Sequence, residues 1–488
     1  MASATREKSE ILDVLVVGAG LSGIGAAYHL KTLCPRKSYA IVEARDTLGG
    51  TWDLFRYPGI RSDSDMYTLG FSFKPWRGEK AIADGPSILS YLQETARENG
   101  IDQKIRFGHR VTRASWSSDA AMWTVEMTKK DGSITTLRCR FLFLCSGYYD
   151  YAKGFTPDFP GIEKFQGEVV HPQLWTDAVD YTDKRVVVIG SGATAVTLVP
   201  ELAKKAKHVT MLQRSPTYVI SLPAIDPLTK MLEQRAPSVA YPVTRWKNIT
   251  VAIAMFNFCR KYPAQAKRFL VGNVKKALGP DFDVKTHFTP SYGPWDQRLC
   301  FVPDGDLFRA IKKGRADVVT DHIATFDEKG IVLKSGARID ADLVVTATGL
   351  KLQLLGGAEL EVDGRKIEAG KTTGYKGIML GEIPNMAFAV GYTNASWTLK
   401  ADLASGYVCR LLNHMDKKRY RVCVPRLPPG EEGTEPMLNL ASGYVKRAEA
   451  DLPKQGARAP WRLYQNYILD LVGLRYGKVE DGVIELRR

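Results

Sequence analysis

Apolar residues first gather in an uninterrupted block, LDVLVVGAG (Leu12–Gly20), and a helix-like stretch, LSGIGAAYHLKTL, follows directly. A second strand–glycine–helix unit occupies RVVVIGSGATAVTLVPELAKKA (Arg185–Ala206). Between them the pattern predicts a helix over Ile88–Glu98, strand-like pieces including MWTVEM (Met122–Met127), and an apolar strand in FLFLCSG (Phe141–Gly147). A further run of that kind, ADLVVTATG (Ala341–Gly349), lies far downstream. Strands alternating with helices predict an α/β fold with parallel sheets, here with two Rossmann-like dinucleotide-binding domains. From Pro216 to Pro294 the pattern changes to proline-punctuated helices without strands, which predicts a helical insertion. After Gly391 come a helix in WTLKADLASGYVCRLLNHM, a Pro/Gly/Glu-rich loop (Pro425–Pro436) and a last helix-like stretch.

Composition narrows the class. A chain of 488 residues exceeds one core, and 44% hydrophobic with 25% charged residues is ordinary for a globular protein. The polar start MASATREKSE has no apolar signal region, and no apolar run approaches the ~18 residues of a membrane span. Seven cysteines (34, 139, 145, 259, 300, 409, 423) are scattered without a CxxC pair. They point to a reducing, cytoplasmic setting and away from a zinc or dithiol centre, so no metal is expected. The net charge of +15 is uneven: residues 230–287 carry eleven Lys and Arg against three acids, an excess of eight, around the apolar run Ile249–Cys259. That segment reads either as a helical lid with a basic solvated face or as a peripheral contact with an anionic membrane. No nucleic-acid motif accompanies the charge.

The two glycine motifs differ in the strand end that each leads to. Gly18-x-Gly20-x-x-Gly23 lies between strand and helix, and Glu43 ends the next strand, SYAIVEA, twenty residues beyond Gly23. Such glycines let a pyrophosphate approach a helix N-terminus, and the acid accepts hydrogen bonds from a ribose. In Gly190-x-Gly192-x-x-Ala195 the following strand, HVTMLQRS, ends in Gln213-Arg214. A carboxylate there would repel a 2′-phosphate, whereas guanidinium binds phosphate bidentately. FAD is therefore assigned to the first unit and NADPH to the second.

The stretch GGTWDLFRYPGIRSDSD (Gly49–Asp65) begins six residues after Glu43, where the chain has just left the ribose end of the first nucleotide. Gly49-Gly50 would allow close passage to a ligand, Trp52 would wall a ring system, and Pro58-Gly59 would turn Asp63 toward the reactive end. The alternative is a structural turn in which Asp63 caps the helix DMYTLGF.

The spacing Gly49, Gly50, Trp52, Tyr57, Pro58, Gly59 and Asp63 resembles the long fingerprint of Baeyer–Villiger monooxygenases, flavoprotein monooxygenases of class B. Phe165, Gly167, His171 and Trp175 resemble their second fingerprint, which departs at Thr176. FLFLCSGYY, MLQRSPTY, PWDQRLC and GYTNASWTLKADL are similar to the ethionamide-activating subgroup, and the likeness runs nearly the whole chain. The resemblance implies NADPH- and O₂-dependent conversion of ketones to esters through a C4a-peroxyflavin, with S-oxygenation of thioamides and sulfides. It implies FAD contacts at Ser22, Glu43, Thr51, Trp52, Asp53 and Leu54, with Val111 meeting the adenine. Arg61, Ser62 and Asp63 would sit where the nicotinamide meets the flavin. Gly190, Ser191, Gly192, Ala193, Thr194, Ala195, Val196, Gln213 and Arg214 would hold NADP. Arg298 resembles the catalytic arginine and Asp63 its carboxylate partner. His171 reads as a hinge anchor, and Asn394 or Ser396 as the positive end of a helix facing reduced flavin or as a plain helix cap.

The implied layout is an FAD-binding domain from residues 1–150 and 346–488, an NADP-binding domain from 151–221 and 296–345, and a helical insertion at 222–295. Two rivals stay open: a flavin-dependent N- or S-hydroxylase, and an NADPH oxidase without organic substrate. No CxxxxC follows the first glycine motif, which disfavours a disulfide reductase.

Overall fold

The computed structural model describes residues 10–438 and 440–488. Its first strand, Ile11–Val17, lies parallel to Tyr39–Val42 on one side and Ile134–Leu144 on the other. Both faces of that strand are covered, which is why its sequence is a continuous apolar run. Val14 and Val16 face the helices Leu21–Leu33 and Trp397–Lys418, while Leu12, Leu15 and Val17 face an antiparallel meander. The meander is His109–Ser117, Met122–Lys129 and Ile134–Leu144, and the whole sheet has nine strands. Met386–Phe388 joins it in parallel, so the C-terminal third of the chain completes the first unit.

The second unit is an all-parallel sheet of five strands in the order Ala316–Thr320, His208–Gln213, Arg185–Ile189, Leu343–Thr346 and Glu168–Val170. Val186 and Val188 pack under the helix Ala193–Leu202, and Val187 and Ile189 pack against Phe326 and Ile331 on the opposite face. The same alternation thus builds both units.

The segment expected to hold no strands departs from that expectation at its base. Val219–Leu222 pairs in parallel with Cys300–Pro303, forming a ribbon from which the insertion helices emerge. Four residues closed in by Pro216 and Pro223 are too few to show a period. Beyond the ribbon, Pro227–Arg235, Pro237–Lys261, Pro263–Leu278 and Val284–Phe288 are helices. The first three have proline in the first turn, where the missing N–H needs no partner. Arg245 ties the long helix to the first unit by donating to the carbonyls of Tyr67 (2.6 Å) and Gly70 (2.9 Å).

Candidate active site

The first glycine turn is tight for identifiable reasons. Gly18 sits at φ +103°, and a Cβ on Gly23 would lie 1.8 Å from the Gly18 carbonyl oxygen. Side chains at these two positions would force the strand and helix apart. The helix Leu21–Leu33 starts at Gly20 with no side-chain cap, so its first amides remain available to an anion. Glu43 is buried beside them, with Oε2 accepting from the Ala19 amide (2.8 Å) and Oε1 from the Arg45 amide (2.9 Å). Burial raises its carboxyl above the ordinary range against those two bonds.

This turn opens on a cavity of about 350 Å³. Gly18, Gly20, Ser22, Glu43 and Val111 line it from the first unit, and Ala193 and Thr194 from the second. Thr51 and Trp52 also line it, whereas Asp53 and Leu54 fall outside the lining. Asp53 forms ion pairs with Arg45 and Arg56, and Leu54 packs on the core under the second sheet. Burial drives the Asp53 carboxyl up, but the Thr47 hydroxyl and Arg45 outweigh it and leave a net lowering.

The Gly49–Asp65 stretch bridges the two units. Gly49 and Gly50 have φ +122° and +57°, and a Cβ on Gly50 would lie 3.1 Å from the Gly20 Cα. The Tyr57–Gly59 turn closes with an Ile60 N–H bond to the Tyr57 carbonyl (3.1 Å). It presses on the helix Ala193–Leu202, where a Cβ at Gly59 would come within 3.0 Å of Glu201. Cap duty falls to Asp65, which accepts from the Thr68 amide at 3.0 Å. Asp63 instead pairs with Arg298 at 3.1 Å, and both line the cavity. The neighbouring Asp63 charge, acting against burial, raises the Arg298 pKa beyond that of an ordinary guanidinium. Arg61 also lines the cavity; its Nη1 donates to Asp306 (2.6 Å), while its buried Nη2 has no partner among the described residues. Ser62 is buried and accepts from the Ser64 amide (2.9 Å).

At the second turn Gly190 has φ +139° and its Cβ would strike the Ala347 carbonyl oxygen at 2.4 Å, while Gly192 faces open space. The helix Ala193–Leu202 begins uncapped, as the first one does. Ser191 donates to the Ser215 carbonyl (3.0 Å), and Ala195 and Val196 face the core. Gln213 is buried, its amide nitrogen donating to the His287 carbonyl (2.8 Å) and Thr320 Oγ1 (2.9 Å). That leaves exposed Arg214, which has no ion-pair partner among the described residues.

Two open glycine cradles, two uncapped helix starts and an orphaned arginine nitrogen fit a pair of dinucleotides. The comparisons agree. The NAD(P)-binding Rossmann-like domain family matches residues 16–77, and the flavin-binding monooxygenase-like family matches residues 82–247. The FAD-containing monooxygenase EthA of Mycobacterium tuberculosis is 54% identical over 475 residues, covering 97% of both chains. The chain belongs to the EthA-type FAD-containing monooxygenases. In fold, this monooxygenase is similar to a steroid monooxygenase bound to NADP (TM-score 0.77, 23% identity, 98% of this chain and 100% of that one). Its fold is likewise similar to that of an open cyclohexanone monooxygenase (TM-score 0.75, 19% identity, the same coverage).

Outside the cavity of this monooxygenase, His171 accepts at Nδ1 from the Gln173 amide (3.1 Å), which leaves Nε2 to donate to the Gly349 carbonyl (3.2 Å). It thereby ties the ends of two neighbouring strands of the second sheet, and burial lowers its pKa. Ser396 precedes the helix Trp397–Lys418 without capping it, since its hydroxyl lies 2.5 Å from that of Thr68. Asn394 donates to the Gln465 carbonyl (2.8 Å) and keeps a buried Oδ1 without a partner among the described residues. The sequence reading missed Tyr148, Tyr149, Tyr392 and Trp397 as cavity residues. The available signal for the first two was their position just past the carboxyl end of a parallel strand, where open α/β sheets bind ligands.

Proposed function

We infer that the chain is an FAD-containing, NADPH- and O₂-dependent Baeyer–Villiger monooxygenase that converts ketones to esters and also oxygenates sulfur in thioamides or sulfides. The observation that carries this reading is the Asp63–Arg298 pair, set on the wall of a cavity shared by the two nucleotide units. When bound, the flavin with O₂ and NADPH hydride supplies the oxygen that is transferred. The first turn and Glu43 would hold FAD. Ala193, Thr194 and Arg214 would hold NADPH, with the Arg214 guanidinium on the 2′-phosphate. Arg298 is charged at every working pH, so it stabilises negative charge arising beside it without proton transfer. Asp63 keeps that cation in place, and Trp52 and Tyr57 wall the cavity against water.

Product analysis with NADPH, O₂ and a ketone panel tests the reading, with an ester as the expected product. Stoichiometric H₂O₂ with no organic product would replace it with an oxidase, and N- or S-oxides without ester would replace it with a hydroxylase.

A peripheral membrane contact in a cytoplasmic setting is also proposed. Among the described residues no helix is long and apolar enough to cross a membrane. The long insertion helix instead presents Val239, Val243 and Trp246 to solvent along one stripe. Trp246 meets Tyr467 edge-on (6.0 Å between centroids), next to exposed Ile468 and Leu469. Lysines and arginines flank that stripe in sequence, and basic and apolar surfaces together suit anionic lipid. All seven cysteines are free and buried. Co-sedimentation with anionic but not zwitterionic vesicles is expected, and Trp246→Glu should abolish it.

A further inference from the structure

The strand Ile134–Leu144 ends at the cavity, and Tyr148 and Tyr149, just beyond it, share the wall with Asp63 and Arg298. Their hydroxyl oxygens are 3.0 Å apart. The ring of Tyr148 stacks on Trp397 (5.0 Å between centroids, 16° between planes), and Trp397 donates to Ser22 Oγ at 2.8 Å. The first nucleotide turn thus fixes the position of this tyrosine. Tyr149 is tied by a backbone bridge to Leu352. The pair is held at both ends.

Two hydroxyls carry two protons, and the bond between them uses only one. Among the described residues that bond is the only one either oxygen makes. The second O–H has no acceptor among the described residues, in a cavity wall where an unmade bond is unfavourable. Burial raises both phenols well above their ordinary range, with the Arg298 charge opposing only in part, so both remain protonated donors near neutrality.

We propose that the Tyr148–Tyr149 hydroxyl pair donates a hydrogen bond to the carbonyl oxygen of a bound ketone, beside Arg298, and so sets the balance between ketone and sulfur substrates. This rests on the Baeyer–Villiger reading above. When a carbonyl carbon is attacked, its oxygen gains negative charge, and a donor fixed there favours that change. Oxygen transfer to sulfur builds no such charge on a substrate oxygen, so the same donor is idle. No proton leaves the tyrosines in this role.

The test is the double variant Tyr148→Phe/Tyr149→Phe, which keeps the ring stacking and removes both hydroxyls. Its kcat for ester formation is expected to fall about 10²-fold, while FAD content and sulfide oxidation stay within about threefold. Ester and sulfoxide rates falling together, or neither changing, would overturn the proposal. An independent readout needs no turnover: in Arg298→Ala holoprotein the infrared carbonyl stretch of a bound ¹³C-labelled ketone should still lie below its value in water-free solvent. An unshifted band would overturn the proposal as well. If the unaltered enzyme makes no ester from any ketone, the functional reading fails first; ester with an unchanged product ratio in the double variant removes only the tyrosines.

Discussion

Asp65 gives its carboxylate to the amide and hydroxyl of Thr68, so the short helix after it is capped and Asp63 is left to face Arg298. From this division of labour, Arg298→Ala should bind FAD and accept hydride from NADPH yet lose ester formation by 10² to 10³, on the order of 3–4 kcal/mol. Stopped-flow reduction followed by product analysis checks both halves. With the Gln213 nitrogen already bonded to His287 and Thr320, Arg214 is the residue proposed for the phosphate at that strand end. Arg214→Ala should raise the KM for NADPH far more than that for NADH, and equal changes would remove the assignment. His171 titrates below its unfolded value, so the unfolded chain binds more protons in acid. Its contribution to stability is present above about pH 6.5 and lost progressively below it. His171→Gln should flatten that part of a denaturation-midpoint profile. Asp63 was legible because it closes the long fingerprint, and Arg298 because PWDQRLC resembles the subgroup's own stretch. That the Gln213 nitrogen is held by His287 and Thr320 was not legible, because a buried amide and a ligand-facing amide look alike in sequence.

The helix near Ile88 and the strand at Met122 were visible because their runs exceed one period, whereas the strand His109–Ser117 was not singled out. The helix expected over Ile88–Glu98 extends from Gly85 to Glu98, with Asp84 accepting from Ser87 as its cap. Val219–Leu222 was not visible, because its partner lies about eighty residues away and four residues carry no period. The glycine turns make the sharpest element-scale prediction. With no side-chain room between Gly23 and the Gly18 carbonyl, Gly23→Ala must separate the first strand from its helix. Overpacking of that kind costs about 1–3 kcal/mol, and here it falls on the nucleotide seat itself. The purified variant should be pale, with its absorbance ratio of flavin to protein well below that of the unaltered chain. Normal flavin content would show that the turn relaxes.

Across the whole molecule, residues from both ends of the chain complete the first unit. Lys400, 2% exposed, is held by Asp470 (2.8 Å) and the Lys376 carbonyl (3.0 Å), and Asp470 also accepts from Tyr392 (2.6 Å). Since Tyr392 lines the cavity, the C-terminal segment stiffens the site from behind. Removing one partner of such a pair strands a buried charge, so Asp470→Ala should destabilise the protein by about 3 kcal/mol in urea titrations. The doubled nucleotide unit was plain in the glycine spacing; this clasp was not, because nothing local marks Lys400 as inward-facing.

Because every thiol is buried, with burial holding Cys139, Cys145, Cys300 and Cys423 far from the reactive thiolate form, maleimides should label the native enzyme slowly, and Cys34, whose thiol pKa the neighbouring Cys409 lowers, should be the first of the seven to react. One cysteine engineered onto the surface would then be the fastest attachment point for a fluorophore, without first stripping out the natural seven.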